Sequence, residues 1–153
     1  MSAAWNHPAA EAIARLVSAR TGFTYALEHP RKTEDGIRRA MAAHGAPSVP
    51  AYLRTLQDQP DVMDRLVDEL TIRETYFFRE PRHFEFIRNH ILSDVRAKRG
   101  EDHVFRAWSA GCASGEEAYS LAILMAQAGL GDSASVLGPD ISQAALTLSL
   151  IHI

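Results

Sequence analysis

Residues 108–117 read Trp-Ser-Ala-Gly-Cys-Ala-Ser-Gly-Glu-Glu: two glycines four apart, then two adjacent carboxylates. The segment lies where a strand pattern gives way to a helix pattern, which is where open α/β sheets bind their ligands. Gly111 and Gly115 let the backbone turn sharply and come close to a ligand, and the loop contributes backbone N–H groups. A phosphate loop would require Gly-Lys-Ser/Thr, and no lysine stands here. A dinucleotide turn would require three glycines as G-x-G-x-x-G, whereas this loop has only G-x-x-x-G. Two carboxylates would repel a phosphate. They suit a ligand that is cationic or rich in hydroxyls, and S-adenosylmethionine, with a sulfonium, an ammonium and a ribose, is both.

Each candidate residue also has a plainer reading. Ser114-x-x-Glu117 fits a capping box, with Ser114 as N-cap and Glu117 three positions on. Acidic residues in a first turn also favour the helix dipole. That accounts for Glu117 without a ligand but leaves Glu116 as the ligand contact. Asp140 follows the second strand, where an acidic residue often bonds a ribose hydroxyl; alternatively it marks the helix start before Ser142. Asp140 and Glu116 are expected to share one pocket at neighbouring strand ends. Arg79 can grip a carboxylate with paired hydrogen bonds, or it forms a surface ion pair. Phe77 and Phe78 are expected to anchor their segment in the core, with an aromatic floor for adenine as the alternative. Cys112, the single cysteine, has no evident histidine partner and reads as a small loop residue. The seven histidines show no tight metal spacing; His83 and His90 can share a helix face, but nothing supplies further ligands.

These residues need elements to hold them. The chain has 153 residues, 46% hydrophobic and 23% charged, with a net charge of −3, which is globular and gives no global sign of nucleic-acid binding. One cysteine excludes a disulfide framework. The N-terminus lacks a signal-peptide pattern and no apolar run reaches membrane-span length, so a cytoplasmic protein is expected. Apolar spacing predicts helices over 9–20, 34–44, 49–57 and 60–70, a small all-helical domain. Residues 71–81 read as a linker ending at Pro81. Residues 82–98 return to helical spacing, with Phe84, Ile87, Ile91 and Val95 on one stripe. A strand over 103–109, a helix over 115–128, a strand over 133–138 and a helix from Ser142 then form the start of a parallel α/β sheet. The expected domains are 1–70, a linker at 71–81, and an incomplete Rossmann-like domain at 82–153.

Taken together, Leu70-Thr-Ile-Arg-Glu-Thr-Tyr-Phe-Phe-Arg-Glu80, Trp108 to Ser120 and, more weakly, Gly138-Pro-Asp-Ile-Ser142 resemble segments of the CheR family of chemotaxis receptor methyltransferases. The resemblance runs from about residue 10 to about residue 148, and the N-terminal helices match in pattern, including Tyr52-Leu53. It implies a helical receptor-recognition domain followed by an S-adenosylmethionine-dependent methyltransferase domain acting on glutamate side chains. It implies cofactor contacts from Thr75, Arg79, Gly111, Glu116 and Asp140. The family often has asparagine at the position of Arg73 and a small residue at that of Pro139. Its helical domain presents a basic face to the receptor, here Arg38 and Arg39 with Arg31, Lys32 and Arg54; an ordinary solvated face is the alternative. The implied partner is the cytoplasmic helical bundle of a methyl-accepting receptor, and the protein is expected to be a monomer without membrane insertion.

The sheet implied by the resemblance is larger than the two strands read here, and Leu148 to Ile153 do not continue the family pattern. The chain is therefore read as a fragment, expected to bind cofactor weakly or not at all and to expose a sheet edge prone to aggregation. Two other readings stand beside this one: a nucleotide-dependent oxidoreductase fragment, and a signalling module that docks without catalysing. A receptor-like system controlling surface attachment would keep the chemistry and change the target.

Overall fold

A computed structural model describes residues 8–72, 74–100 and 102–149. Arg73 and the tail from 150 onward, both singled out in the sequence, lie outside the described residues. The chain divides into two compact units. The first is built on Met1–Ile72 and takes in Ile141–Gln143, and the second is built on Arg73–Asp140 and takes in Ala144–Ile153.

The first unit is helical among its described residues: α1 (Pro8–Thr21), α2 (Tyr25–Glu28), α3 (Pro30–His44), α4 (Val49–Asp58) and α5 (Pro60–Leu70). Proline stands in the first turn of α3, α4 and α5, where its missing N–H costs nothing. Ser48 caps α4 by accepting from the Ala51 N–H at 3.3 Å. Ile13, Val17, Ile37, Tyr52, Leu56 and Leu66 are fully buried and belong to one core. Two expectations need correction. The second helix starts at Pro30, not Glu34, and a short helix precedes it. Arg31 and Lys32 break the apolar spacing, but Thr33 is buried because its hydroxyl donates to the Ala26 carbonyl at 2.8 Å. A polar residue can thus face a core when a local carbonyl satisfies it.

The second unit opens with α6 (Pro81–Phe86), a π-helical turn (Ile87–Ile91) and α7 (Leu92–Arg99). The strand β1 (Phe105–Trp108), the helix α8 (Glu116–Gln127) and the strand β2 (Ala134–Leu137) follow, and α9 (Gln143–Leu148) is the last described helix. β1 and β2 pair in parallel, with Phe105 opposite Ala134 and Trp108 opposite Leu137, as the strand–helix–strand pattern predicts. Period-2 alternation sends Phe105, Ala107, Ala134 and Val136 to the core, where they pack with Leu121, Leu124 and Met125 of α8. Gly129, at φ 76, ends α8 as expected.

The stripe predicted along 82–98 holds at three of its four positions. Phe84 is buried and Ile87 and Val95 pack on the core, but Ile91 is 41% exposed while Leu92 is 7% exposed. The π turn inserts one extra residue into the helical repeat. Just past this insertion, Leu92 takes the place that regular spacing assigns to Ile91, while Val95 keeps its place against the core.

Two packing predictions follow from this geometry. Leu92→Ala should cost about 2–5 kcal/mol and Ile91→Ala less than about 1 kcal/mol, read by urea unfolding; equal costs would refute the register shift. In α3, a Cβ on Gly36 would stand 2.6 Å from Leu70 Cδ2 and 3.3 Å from the Glu69 carbonyl oxygen. Gly36→Ala should therefore destabilise the helical unit by about 1–3 kcal/mol in the same assay, although alanine is the better helix former.

Candidate functional site

The turn after β1 is held by the residues that follow β2. Ser109 N–H donates to the Leu137 carbonyl at 2.8 Å, extending the strand pairing by one step. The N–H groups of Gly111 and Cys112 both donate to the Pro139 carbonyl, at 2.9 and 3.1 Å. Ala113 N–H donates to Asp140 Oδ2 at 2.8 Å. Ala113 takes this position at φ 48, a left-handed conformation that costs a residue with a Cβ. Gly111 (φ 78) and Gly115 (φ 102) complete the turn at no such cost. The expectation that this loop offers its amides to a ligand is corrected at 111–113, where the protein itself uses them.

The two glutamates also depart from the expected capping box. Gly115, not Ser114, is the N-cap of α8, and no side chain caps that end. Ser114 instead donates its hydroxyl to Glu116 Oε2 at 2.8 Å, and Ser109 donates to Glu117 Oε1 at 2.6 Å. A glycine in the left-handed region closes the turn sterically, which frees Ser114 to orient a carboxylate. Glu116 and Asp140 are half-buried and Glu117 is exposed.

Cys112 reports on the resulting field. Its buried thiol donates to the Gly138 carbonyl at 3.0 Å, so it reads as a loop-packing residue. Burial pushes the thiol above its ordinary titration range. The carboxylate of Asp140 pushes it the same way; a backbone hydrogen bond lowers it by less than that, and Glu117 and then Glu116 add smaller upward pushes. Three carboxylates thus make this turn unfavourable for an anion and favourable for a cation. An open groove of about 890 Å³ in the same unit is lined by apolar and charged residues, Trp108 and Glu117 among them; Glu116 and Asp140 do not line it.

The linker is bonded to α8 through Phe78. Phe78 N–H donates to Ser120 Oγ on α8 at 2.9 Å, and the Phe78 ring meets Phe84 edge-on at 5.1 Å. Phe78 therefore anchors the linker as expected, while Phe77 is 45% exposed and does not. Thr75 is half-buried in the linker. Arg79 Nη1 donates to the Glu74 carbonyl at 2.6 Å, and its guanidinium lies 3.8 Å from the Glu74 carboxylate. The local ion pair weighed from the sequence is thus present. In the first unit, Arg39 Nε donates to Glu69 Oε2 at 2.8 Å, and Arg38 is exposed on the same helix. Sequence reasoning passed over Ser109 and Ser120. The signal for Ser120 was a serine on an otherwise apolar helix face.

Residues 8–71 match the family described as "CheR methyltransferase, all-alpha domain" and residues 73–149 the family described as "CheR methyltransferase, SAM binding domain". The chain belongs to the CheR methyltransferase family. A chemotaxis protein methyltransferase of Borreliella burgdorferi is 45% identical over 62 residues, covering 39% of this chain and 22% of that protein. One from Salmonella typhimurium is 31% identical over 118 residues, 76% of this chain and 38% of the relative. A probable biofilm formation methyltransferase of Pseudomonas putida is 30% identical over 129 residues, 84% of this chain and 30% of the relative. The chain thus spans well under half the length of these CheR relatives. The all-α unit and the unit with a small parallel sheet are the two parts this family predicts.

S-adenosylmethionine is the cofactor of the matched CheR domain. The residues present fit it: carboxylates converge where a sulfonium and an ammonium need negative potential, and the amides that would cradle a phosphate at 111–113 are occupied. The match to a SAM binding domain stands against the oxidoreductase reading.

With its thiol held neutral above the usual range, Cys112 should react with iodoacetamide at pH 8 at least about tenfold more slowly than a free cysteine. The rate should climb only as pH rises past the ordinary thiol range. Asp140→Asn should speed the reaction, because one raising charge and one tie of the loop are removed together. A rate in Asp140→Asn equal to or slower than wild type would show that the carboxylate does not act on this turn.

Proposed function

We propose that this chain is part of an enzyme that transfers a methyl group from S-adenosylmethionine to glutamate side chains on the cytoplasmic helices of chemoreceptors, acting in the cytoplasm as a monomer. The observation that carries the reading is the gathering of Glu116, Glu117 and Asp140 around a turn whose amides at 111–113 are already spent. Relatives named as chemotaxis protein methyltransferases support the chemotaxis setting.

When bound, the cofactor supplies an electrophilic methyl group on a positive sulfur. The acceptor glutamate, with an ordinary pKa of about 4.3, is already ionised at neutral pH. Its carboxylate oxygen would take that methyl group directly, with the electron pair of the broken sulfur–methyl bond left on the donor as a neutral thioether. No proton moves, so no general base is required. The task left to the protein is alignment, which can supply roughly 7–11 kcal/mol. Glu116 and Asp140 hold the cationic and hydroxyl-bearing parts of the donor. Gly111 lets the backbone approach, and Thr75 and Arg79 bind from the linker. For Arg79 this requires exchange of its Glu74 contact for the donor's carboxylate, a modest cost at an exposed pair. On α3, Arg38 offers a charge to an acidic receptor helix, and Arg39 contributes to the same face while tied to Glu69.

Glu116→Gln and Asp140→Asn should each weaken donor binding roughly 10–100-fold, the scale of one charge-assisted hydrogen bond, measured by titration of the amide spectrum. Unchanged affinity in the double variant would sink the cofactor assignment. In a chimera continued with the remainder of the Salmonella typhimurium relative, radiolabelled methyl should appear on receptor cytoplasmic helices as an alkali-labile ester. Label stable to alkali, or label on another class of protein, would overturn the receptor-glutamate reading.

A further inference from the structure

Ser120 lies on the second turn of α8, four residues after Glu116, and is 0% exposed. Its hydroxyl donates to the Glu116 carbonyl at 2.6 Å and accepts from the Phe78 N–H at 2.9 Å. One oxygen therefore uses its donor and an acceptor site at once. A helical serine ordinarily bonds only its own preceding turn. This one reaches 42 residues back in the chain to the linker.

Phe78 needs such a partner. It sits at φ 54, a left-handed conformation that is unusual for a bulky residue and persists only when its surroundings hold it there. Two contacts do so: its ring edge-on to Phe84, and its N–H on Ser120. The bend at Phe78 sets the path of the chain on either side, through Thr75 before it and Arg79 after it. The other end of the bridge is the first residue of α8, whose side chain is the Glu116 carboxylate.

We propose that Ser120 is a positioning residue: its hydroxyl latches linker residues 74–80 to the first turn of α8, so that the linker and the acidic turn present the methyl donor with one binding unit. The inference rests on the reading of that turn as the donor site. Ser120 touches no donor atom in this scheme and acts through Phe78 and Glu116. Alanine at 120 leaves the Phe78 N–H without its acceptor and lets the linker leave its strained bend.

The test is amide hydrogen exchange on the chain, followed by titration with S-adenosylmethionine into the millimolar range. In Ser120→Ala, exchange at Phe78 should speed up at least about tenfold, the scale of one unsatisfied N–H, while Leu124 and Met125 amides of α8 keep their protection. Ser120→Thr, which retains the hydroxyl, should restore Phe78 protection. Donor affinity should fall about tenfold in Ser120→Ala and return to within about threefold of wild type in Ser120→Thr. Unchanged exchange at Phe78 would overturn the latch. So would equal acceleration at Phe78, Leu124 and Met125, because that pattern marks general loosening of the core. Loss of Phe78 protection with full donor affinity would overturn its role in binding while leaving the donor site intact. In the chimera continued with the Salmonella typhimurium relative, donor binding that Glu116→Gln and Asp140→Asn leave unchanged would instead remove the reading on which the latch depends.

Discussion

The second unit depends on one constraint: the ends of two parallel strands must be tied together at the point where both chains turn away from the sheet. The Pro139 carbonyl takes two amides from the opposite turn and the Asp140 carboxylate takes a third. A parallel pair has no hairpin to fix its register, so something beyond the ladder has to. These three bonds continue the pairing past Trp108 and Leu137, in a turn where Gly111, Ala113 and Gly115 take left-handed conformations. The turn's electrostatics follow from the same tie. Amides consumed at 111–113 cannot stabilise an anion, and the carboxylates that remain set a negative potential. In the proposed function that potential falls where the sulfonium donor would sit.

Pro139 fits this arrangement for a physical reason. Proline gives up its N–H but keeps its carbonyl, and the carbonyl is the group the turn uses. A small residue at that position would supply the same acceptor. The departure from the family pattern therefore leaves the tie intact. The serines around the turn play a comparable part, because Ser109, Ser114 and Ser120 each use a hydroxyl to orient a carboxylate or a backbone group. Short side chains with few rotamers lose little entropy in doing this.

The helical unit is organised differently. Its buried positions form one continuous apolar core, and α3 meets α5 closely enough at Gly36 that a methyl group there would collide with Leu70. Arg39 spans the same pair of helices by bonding both the carboxylate and the backbone carbonyl of Glu69. Arg39 thus has a structural contact between the two helices, and Arg38 is exposed on the same helix.

The sequence by itself determined the helical spans of the first unit to within a few residues, the strand–helix–strand order, and the acidic turn with Glu116 and Asp140. Each of these is written in local periodicity, in glycine and proline placement, or in a run of adjacent residue types. The start of α3 at Pro30 and the π turn at Ile87–Ile91 were not legible, because a satisfied polar side chain and an inserted residue both defeat a regular repeat. Tertiary structure alone decided how the polar groups pair. That Asp140 grips Ala113 and that Ser120 reaches Phe78 are facts of proximity between distant segments, and that Ser114 serves Glu116 and not the helix end follows from the turn those contacts fix. A hydroxyl or carboxylate has many possible partners in an unfolded chain, and only packing of the helix on the two strands selects one.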